Sequence, residues 1–306
     1  MSYEAKVLAD SIAQGVRLTT LQVTFPRIVL AEFNTHRMFS RNSASSRAIP
    51  VEKNIERILA DPFIPAAFGA NQKGMQSGEA LSRADQEQAG EAWYDAMKQA
   101  VSHAKALSKI GVHKQWANRL LEPFAWHTVI VTATEWENFF ALRCSPEAQP
   151  EIRTIAEMMR EAMVASTPAN LVPGEWHLPF IDDRDVSRNP PREGWERPYD
   201  KLSIENAVKL SVARCARVSY LTHDGKRDVE ADIALYERLL KSGHMSPFEH
   251  AARVATRFRD TDDESADDIQ FSLGLKNDPP YFVGNLHWPW IQHRKLISGE
   301  AVFRGK

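Results

Sequence analysis

The stretch "VRLTTLQVTFPRIVLAEFNTHRMFSRNSASSRAIP", Val16 to Pro50, decides how this chain is read. Its first ten residues, Val16 to Phe25, alternate and are rich in β-branched side chains, which predicts a strand. Pro26 fits the first turn of a helix, where its missing N–H is not needed, and "RIVLAEFNTHR" is apolar at helical spacing. That helix is predicted to deliver His36 and Arg37 near its end, with the hydroxyl-rich remainder as a loop and Pro50 as a stop. From Thr35 to Arg47 the chain carries three arginines, a histidine, five hydroxyl side chains and no acid. Such a set suits phosphate and carbonyl oxygens, because Arg binds phosphate bidentately and hydroxyls and amides fill the remaining acceptors. A solvated polar loop is the plainer alternative on composition alone.

The 306 residues are 25% charged and 43% hydrophobic, which is ordinary globular composition for one large domain or two smaller ones. A net charge of −2 gives no global pull toward nucleic acid or anionic lipid, so neither is an expected partner. The two cysteines, Cys144 and Cys215, cannot build a disulfide framework or a four-thiolate zinc site, and a reducing, cytoplasmic setting is expected. The opening "MSYEAKVLADSIAQG" scatters charges through any apolar run, unlike a signal peptide, and no apolar stretch approaches membrane-spanning length. No Gly-rich phosphate loop of the Walker or dinucleotide type occurs.

Elsewhere the periodicity predicts a long amphipathic helix between Glu79 and Ile110, with Trp93, Met97, Ala100, Val101, Ala104 and Leu107 on one face. "HKQWANRLLEPF" reads as a helix ended by Pro123, "HTVIVTAT" as a strand, and "EWENFFALR" and "PEIRTIAEMMREAMV" as helices. The stretch from Pro168 to Tyr199 is dense in Pro, Gly, Trp and Asp and reads as a connector. It divides the chain into 1–167, 168–200 and 201–306, the outer two forming one compact unit. Beyond it, "SIENAVKLSVARCARVSY" starts at a serine N-cap, "DVEADIALYERLLKSG" is capped and closed by Gly243, "AARVATRF" is a strand and "RDTDDESADD" a solvated loop. Long helices with a few strands make the class α+β.

His36, Arg37, Ser40, Asn42, Ser45 and Arg47 match the pattern Arg-His-Arg-x2-Ser-x-Asn-x2-Ser-x-Arg of the flavin-dependent thymidylate synthases at every position but the first, where Thr35 stands. "GHMSPFEH", Gly243 to His250, resembles a second segment of that family, Gly-His-x-Ser/Thr-Pro-x-Glu-His. "ARVSY", Ala216 to Tyr220, resembles the segment upstream of it, and "NFFALRCSPEAQPEI" a third, Asn-x4-Arg-x5-Gln-x-Glu-Ile. "NRLLEP" is a short likeness to a further Arg-x3-Pro segment. The order is unusual: in most members the Gly-His segment precedes the Arg-His-Arg segment, so this chain resembles a circularly permuted or rearranged relative. Read without the family, Gly243 is a helix C-cap, His244 and His250 are a weak pair of metal ligands, and Arg143 is a helix-end cation. The closing "GNLHWPWIQHRKLISGE" is either a displaced partner of the site or an aromatic, basic surface segment.

The resemblance implies a flavin-dependent thymidylate synthase-like fold, long helices with a small mixed or antiparallel sheet. It implies reductive methylation of dUMP to dTMP with FAD as cofactor and NADPH and methylenetetrahydrofolate as co-substrates. It implies a homotetramer with shared active sites. Carried over by position, Arg143 holds the pyrimidine and stabilises charge developing on it. Arg47 and Ser45 bind nucleotide phosphate and sugar, and Arg119 reaches the phosphate from a neighbouring subunit. His36, Arg37, Asn42, Asn138, Ser219, His244 and Ser246 contact FAD. No protein cysteine attacks the uracil, which leaves Cys144, beside Arg143, as a packing residue, and no metal is implied. Three departures touch substrate-facing positions: Thr35 for Arg, Glu32 for Gln and Ser43 for Glu. An ionised Glu32 cannot donate to a carbonyl. The alternatives are therefore a related C5 methylase or hydroxymethylase of another pyrimidine nucleotide such as dCMP, as in a bacteriophage, or an inactive flavin- or nucleotide-binding homologue.

Overall fold

A computed structural model describes residues 2–182, 202–218, 228–256 and 284–300. It opens with a hairpin of β1 (Glu4–Ala13) and β2 (Val16–Pro26), joined by Gln14 and Gly15 at φ 48° and 79°. Two central residues at positive φ match the right-handed twist of the flanking strands, and glycine takes the second at no steric cost. β2 is the strand expected from its pattern. The sequence reading assigns no strand to β1, whose charged residues interrupt the alternation. Across the hairpin Arg17 pairs with Asp10 at 2.6 Å and Thr19 donates to Asp10 at 3.0 Å, so one of those charges is used internally.

After β2 a 3-10 turn (Arg27–Val29) leads into the four-residue α1 (Leu30–Phe33). This helix is shorter than expected, and His36 and Arg37 lie in the turn beyond it. The hydroxyl-rich stretch is not all loop: β3 (Ser40–Ser43) pairs antiparallel with β4 (Trp126–Ala133). Ser-Arg-Asn-Ser carries no strand signal of its own, and the register with β4 imposes it. Pro50 stops nothing; it precedes α2 (Val51–Ala60). The five-stranded sheet runs β3-β4-β2-β1-β5, antiparallel except for β5 (Ala169–Asn170), which is parallel to β1.

β2 and β4 are buried on both faces. One face is apolar: Leu21, Val23, Phe25, Val129 and Val131 pack with Phe33 of α1 and with Phe139, Ile152, Ile155 and Met159 of α5 (Glu137–Arg143) and α6 (Pro150–Ala165). The other face carries Ser40, Thr132 and Thr20 in register, each 1% exposed or less. Hydroxyls tolerate such burial only when partnered. Thr20 and Thr132 meet at 2.7 Å, and Thr24 and Thr128 at 3.0 Å.

α3 (Arg83–Lys109) is capped by Ser82, which accepts from the Asp85 amide. Its expected face, from Trp93 to Leu107, packs on Val51, Ile55 and Ile58 of α2 and on Leu121 and Phe124, next to the short α4 (Lys114–Ala117). Pro123 lies within a 3-10 stretch (Asn118–Phe124) rather than at its end.

The segment read as a connector contributes β5 and β6 (Trp176–His177) before residue 183. β6, β7 (Ala252–Val254) and β8 (Trp290–Gln292) form a second, antiparallel sheet. α7 (Ile204–Arg217) and α8 (Val229–Ser242) start at the expected caps, Ser203 and Asp228, and Gly243 closes α8 at φ 71°. Asp232, its side chain fully buried, ties them by accepting from Arg214 at 3.1 Å and Arg217 at 2.7 Å. Ser219, Tyr220 and the acidic run lie outside the described residues. The class is α+β with a small mixed sheet, as expected.

Candidate functional site

Arg143 ends α5 and is largely buried. Its guanidinium pairs with Glu32, donates from Nε to His36 Nε2 at 2.9 Å, and reaches Thr35 Oγ1 from Nη2 at 3.4 Å. A cation serving only the end of its helix would spend these donors on carbonyls of the last turn. Here they gather Glu32 of α1 with Thr35 and His36 of the turn beyond it. Burial, then the positive charges of Arg143 and Arg41, push His36 down to about 4, so its ring is neutral at pH 7. The neutral ring accepts from Arg143, which puts its proton on Nδ1. Phe139 holds the ring edge-on at 4.9 Å.

The second stretch arrives on the polar side of the sheet. Asn42, nearly buried on β3, donates to the Cys215 carbonyl of α7 at 2.7 Å. Its Oδ1 lies 3.5 Å from the hydroxyl of Ser246, at the start of the 3-10 turn Ser246–Glu249. His244, exposed, shares a 2.9 Å hydrogen bond with Ser242. The closing segment joins them and is not a surface piece: Trp290, Ile291 and Gln292 are buried. Gln292 donates to Ser40 Oγ and to Asn285 Oδ1, both at 2.8 Å, and Asn285 donates to the Met38 carbonyl at 2.9 Å. Sequence reasoning did not single out Asn285 or Gln292, although one of its two readings of the closing segment that carries them was a displaced partner of the site.

The phosphate candidates Ser45 and Arg47 follow β3, whereas Arg37 precedes that strand. Arg37 and Arg47 are exposed and have no acid partner among the described residues. Ser43 and Ser45 are half-buried. Glu122 accepts from Ser46 at 2.8 Å and pairs with Arg119 and Arg27, each at 3.0 Å, which brings Arg119 beside the turn through a shared carboxylate. Asn138 is exposed on α5. No hydrogen bond or ion pair among the described residues joins Arg143 to Arg47, Asn138 or His244.

Burial pushes the Cys144 thiol up, against the opposing pull of Arg160, so it is not an activated thiolate. Among the described residues no three His, Cys, Asp or Glu side chains cluster as metal ligands, and no helix is long and apolar enough to cross a membrane.

The family model for thymidylate synthase complementing proteins matches residues 10–169, just over half of the 306. No curated protein matches the chain. Among solved structures, the UMP/dUMP methylase PolB from Streptomyces cacaoi bound with 5-Br dUMP is similar at 21% identity and TM-score 0.40. The likeness covers 48% of this chain and 66% of that one, just under two thirds. PolB bound with 5-Br UMP is similar at 18% identity and TM-score 0.46, covering 53% and 89%. The family match ends before Gly243.

Proposed function

The chain belongs to the thymidylate synthase complementing protein family, and we propose that it is a flavin-dependent methyltransferase that converts dUMP to dTMP. The observation that carries this reading is the meeting of Asn42 and Ser246, which joins the two stretches resembling flavin and nucleotide segments. The residues fit an anionic dinucleotide such as FAD: Arg37 and Arg47 are cations without acid partners among the described residues, and Ser246 adds an exposed hydroxyl. FAD, when bound, supplies the electrons that NADPH provides, and methylenetetrahydrofolate supplies the carbon.

In this reading His36, Arg37, Asn42, Asn138, Ser219, His244 and Ser246 hold the dinucleotide. Arg47, Ser45 and Arg119 bind the phosphate of the nucleotide. Arg143 donates to the pyrimidine and stabilises negative charge as it develops there. The pair with Glu32 and the bond to His36 restrict the guanidinium before substrate arrives, which lowers the cost of orienting it. The assembly is a homotetramer in which Arg119 serves a neighbouring site.

A second reading is favoured by Glu32. A carboxylate beside Arg143 accepts hydrogen bonds and donates none, so it suits an exocyclic amino group, as on a cytosine nucleotide, better than a carbonyl. The purified chain, incubated with FAD, NADPH, methylenetetrahydrofolate and dUMP, UMP or dCMP, tests both by mass spectrometry of the nucleotide. dTMP from dUMP supports the first reading; a C5 adduct of dCMP alone supports the second; no adduct from any of the three overturns both.

A further inference from the structure

A line of hydrogen bonds crosses the buried polar face of the large sheet. Ser11 Oγ meets His177 Nδ1 at 2.9 Å, and His177 Nε2 meets Thr20 Oγ1 at 2.8 Å. Thr20 Oγ1 meets Thr132 Oγ1 at 2.7 Å, and Thr132 Oγ1 meets His250 Nδ1 at 2.8 Å. All five side chains are buried, at most 5% exposed. Beyond them, His250 Nε2 is buried and has no partner among the described residues. The line links strands β1, β2 and β4 to β6 and to the last residue of "GHMSPFEH".

Each hydroxyl has one proton to give, and each neutral imidazole has one N–H and one lone pair. Burial pushes both histidines down to about 3, so both are neutral at pH 7. With each threonine proton spent within the line, the protons point one way along it or the other; a threonine accepting from both sides would strand its own proton as well as the His250 Nε2 lone pair. In the first direction Ser11 donates to His177 Nδ1. His177 then donates from Nε2 to Thr20, Thr20 donates to Thr132, and Thr132 donates to His250 Nδ1. This leaves a single unmet group, the Nε2–H of His250. In the second direction His250 donates from Nδ1 and every bond reverses. The Ser11 proton then loses its only acceptor among these bonds, and His250 Nε2 is a bare lone pair as well. Two unmet buried groups cost more than one.

We infer that Ser11 fixes the tautomer of His250 through His177, Thr20 and Thr132, so that His250 offers an Nε2–H donor. Ser11, His177, Thr20 and Thr132 are positioning residues in this account. With Nδ1 occupied as an acceptor and Nε2 protonated, His250 has no lone pair for a metal ion. That donor matches an acceptor atom of a ligand, a carbonyl oxygen or an unprotonated ring nitrogen, which would reach it only once the residues covering the fully buried ring move aside. That use rests on the function proposed above. The tautomer does not, because it is measured on the full chain without ligand, so the two ideas fail separately.

The test is long-range proton–nitrogen correlation NMR of the full chain labelled with nitrogen-15 at histidine, at pH 7, with His250 assigned through His250→Gln. The wild-type chain is expected to show Nε2–H at both His250 and His177. Ser11→Ala removes the donor at the far end and leaves the two directions with equal numbers of unmet groups. His250 is then expected to become a mixture of tautomers, while Ser11→Thr, which keeps the hydroxyl, retains the single form. An Nδ1–H form of His250 in the wild-type chain overturns the inference without any variant. So does an unchanged His250 in Ser11→Ala whose circular dichroism and melting match the wild type.

Discussion

Ser246 and Asn42 stand 204 residues apart in the chain, yet the Ser246 hydroxyl lies 3.5 Å from the Asn42 amide oxygen. Asn42 uses its other end at the same time, donating to the Cys215 carbonyl. One amide on β3 thus holds both α7 and the turn after α8. Asn42→Ala leaves the buried Cys215 carbonyl without its donor and is expected to cost about 1–3 kcal/mol. Asn42→Asp fails in the same way, because a carboxylate cannot donate to a carbonyl. Urea denaturation of the two variants beside the wild type checks this; midpoints equal to the wild type's contradict it.

Arg143 offers a planar fork to Glu32, His36 and Thr35, and in the proposed reaction to the pyrimidine. Lysine keeps the charge and loses the fork. Arg143→Lys is expected to lower kcat about a hundredfold with the fold intact. Glu32→Gln removes the fixed charge beside Arg143 and adds a donor, so affinity for dUMP is expected to rise. Steady-state kinetics on both variants read the two effects. Cys144→Ser, by contrast, is expected to stay within about twofold of wild type, since that thiol is held protonated by burial.

His127, His177 and His250 are each pushed by burial to about 3, from an ordinary 6.5. Between those values the unfolded chain binds protons that the folded chain does not. The contribution of these three histidines to stability is therefore fully present above about pH 6.5 and falls as the pH drops toward 3. Each of the three contributes a loss on the order of 2 kcal/mol between pH 7 and pH 5. Urea melts at the two values measure the slope; equal or greater stability at pH 5 contradicts the account.

Asp232 is buried between Arg214 and Arg217 and ties α7 to α8. Asp232→Ala leaves two arginines facing a buried gap and is expected to destabilise the chain by about 3–5 kcal/mol. Calorimetry shows it as a fall in melting temperature, and an unshifted transition argues against the clamp.

Local signals made much of the architecture legible. The alternation of β2, the apolar face of α3, and the caps Ser82, Ser203, Asp228 and Gly243 all act within a few residues of themselves. β1 and β3 were hidden because distant partners decide them: Asp10 is satisfied across the hairpin, and Ser40 and Asn42 are drawn into a strand by β4. The polar face of the sheet was hidden for the same reason. A threonine reads the same in sequence whether it faces water or a histidine from a Pro- and Gly-rich stretch. At the candidate site the motif residues were legible one by one. That Arg143 meets Glu32, Thr35 and His36, and that Gln292 reaches Ser40, is tertiary information.

The central claim is that two stretches far apart in the chain grip one flavin dinucleotide. A titration of the full chain with FAD, followed by visible absorption, tests it most directly when repeated on Arg37→Ala and His244→Ala. The account predicts a yellow, stoichiometric complex for the wild type, and weaker binding by about tenfold or more for each variant, since each removes a donor to the ligand. A chain that takes up no FAD, or one whose affinity is indifferent to a substitution on either stretch, contradicts it.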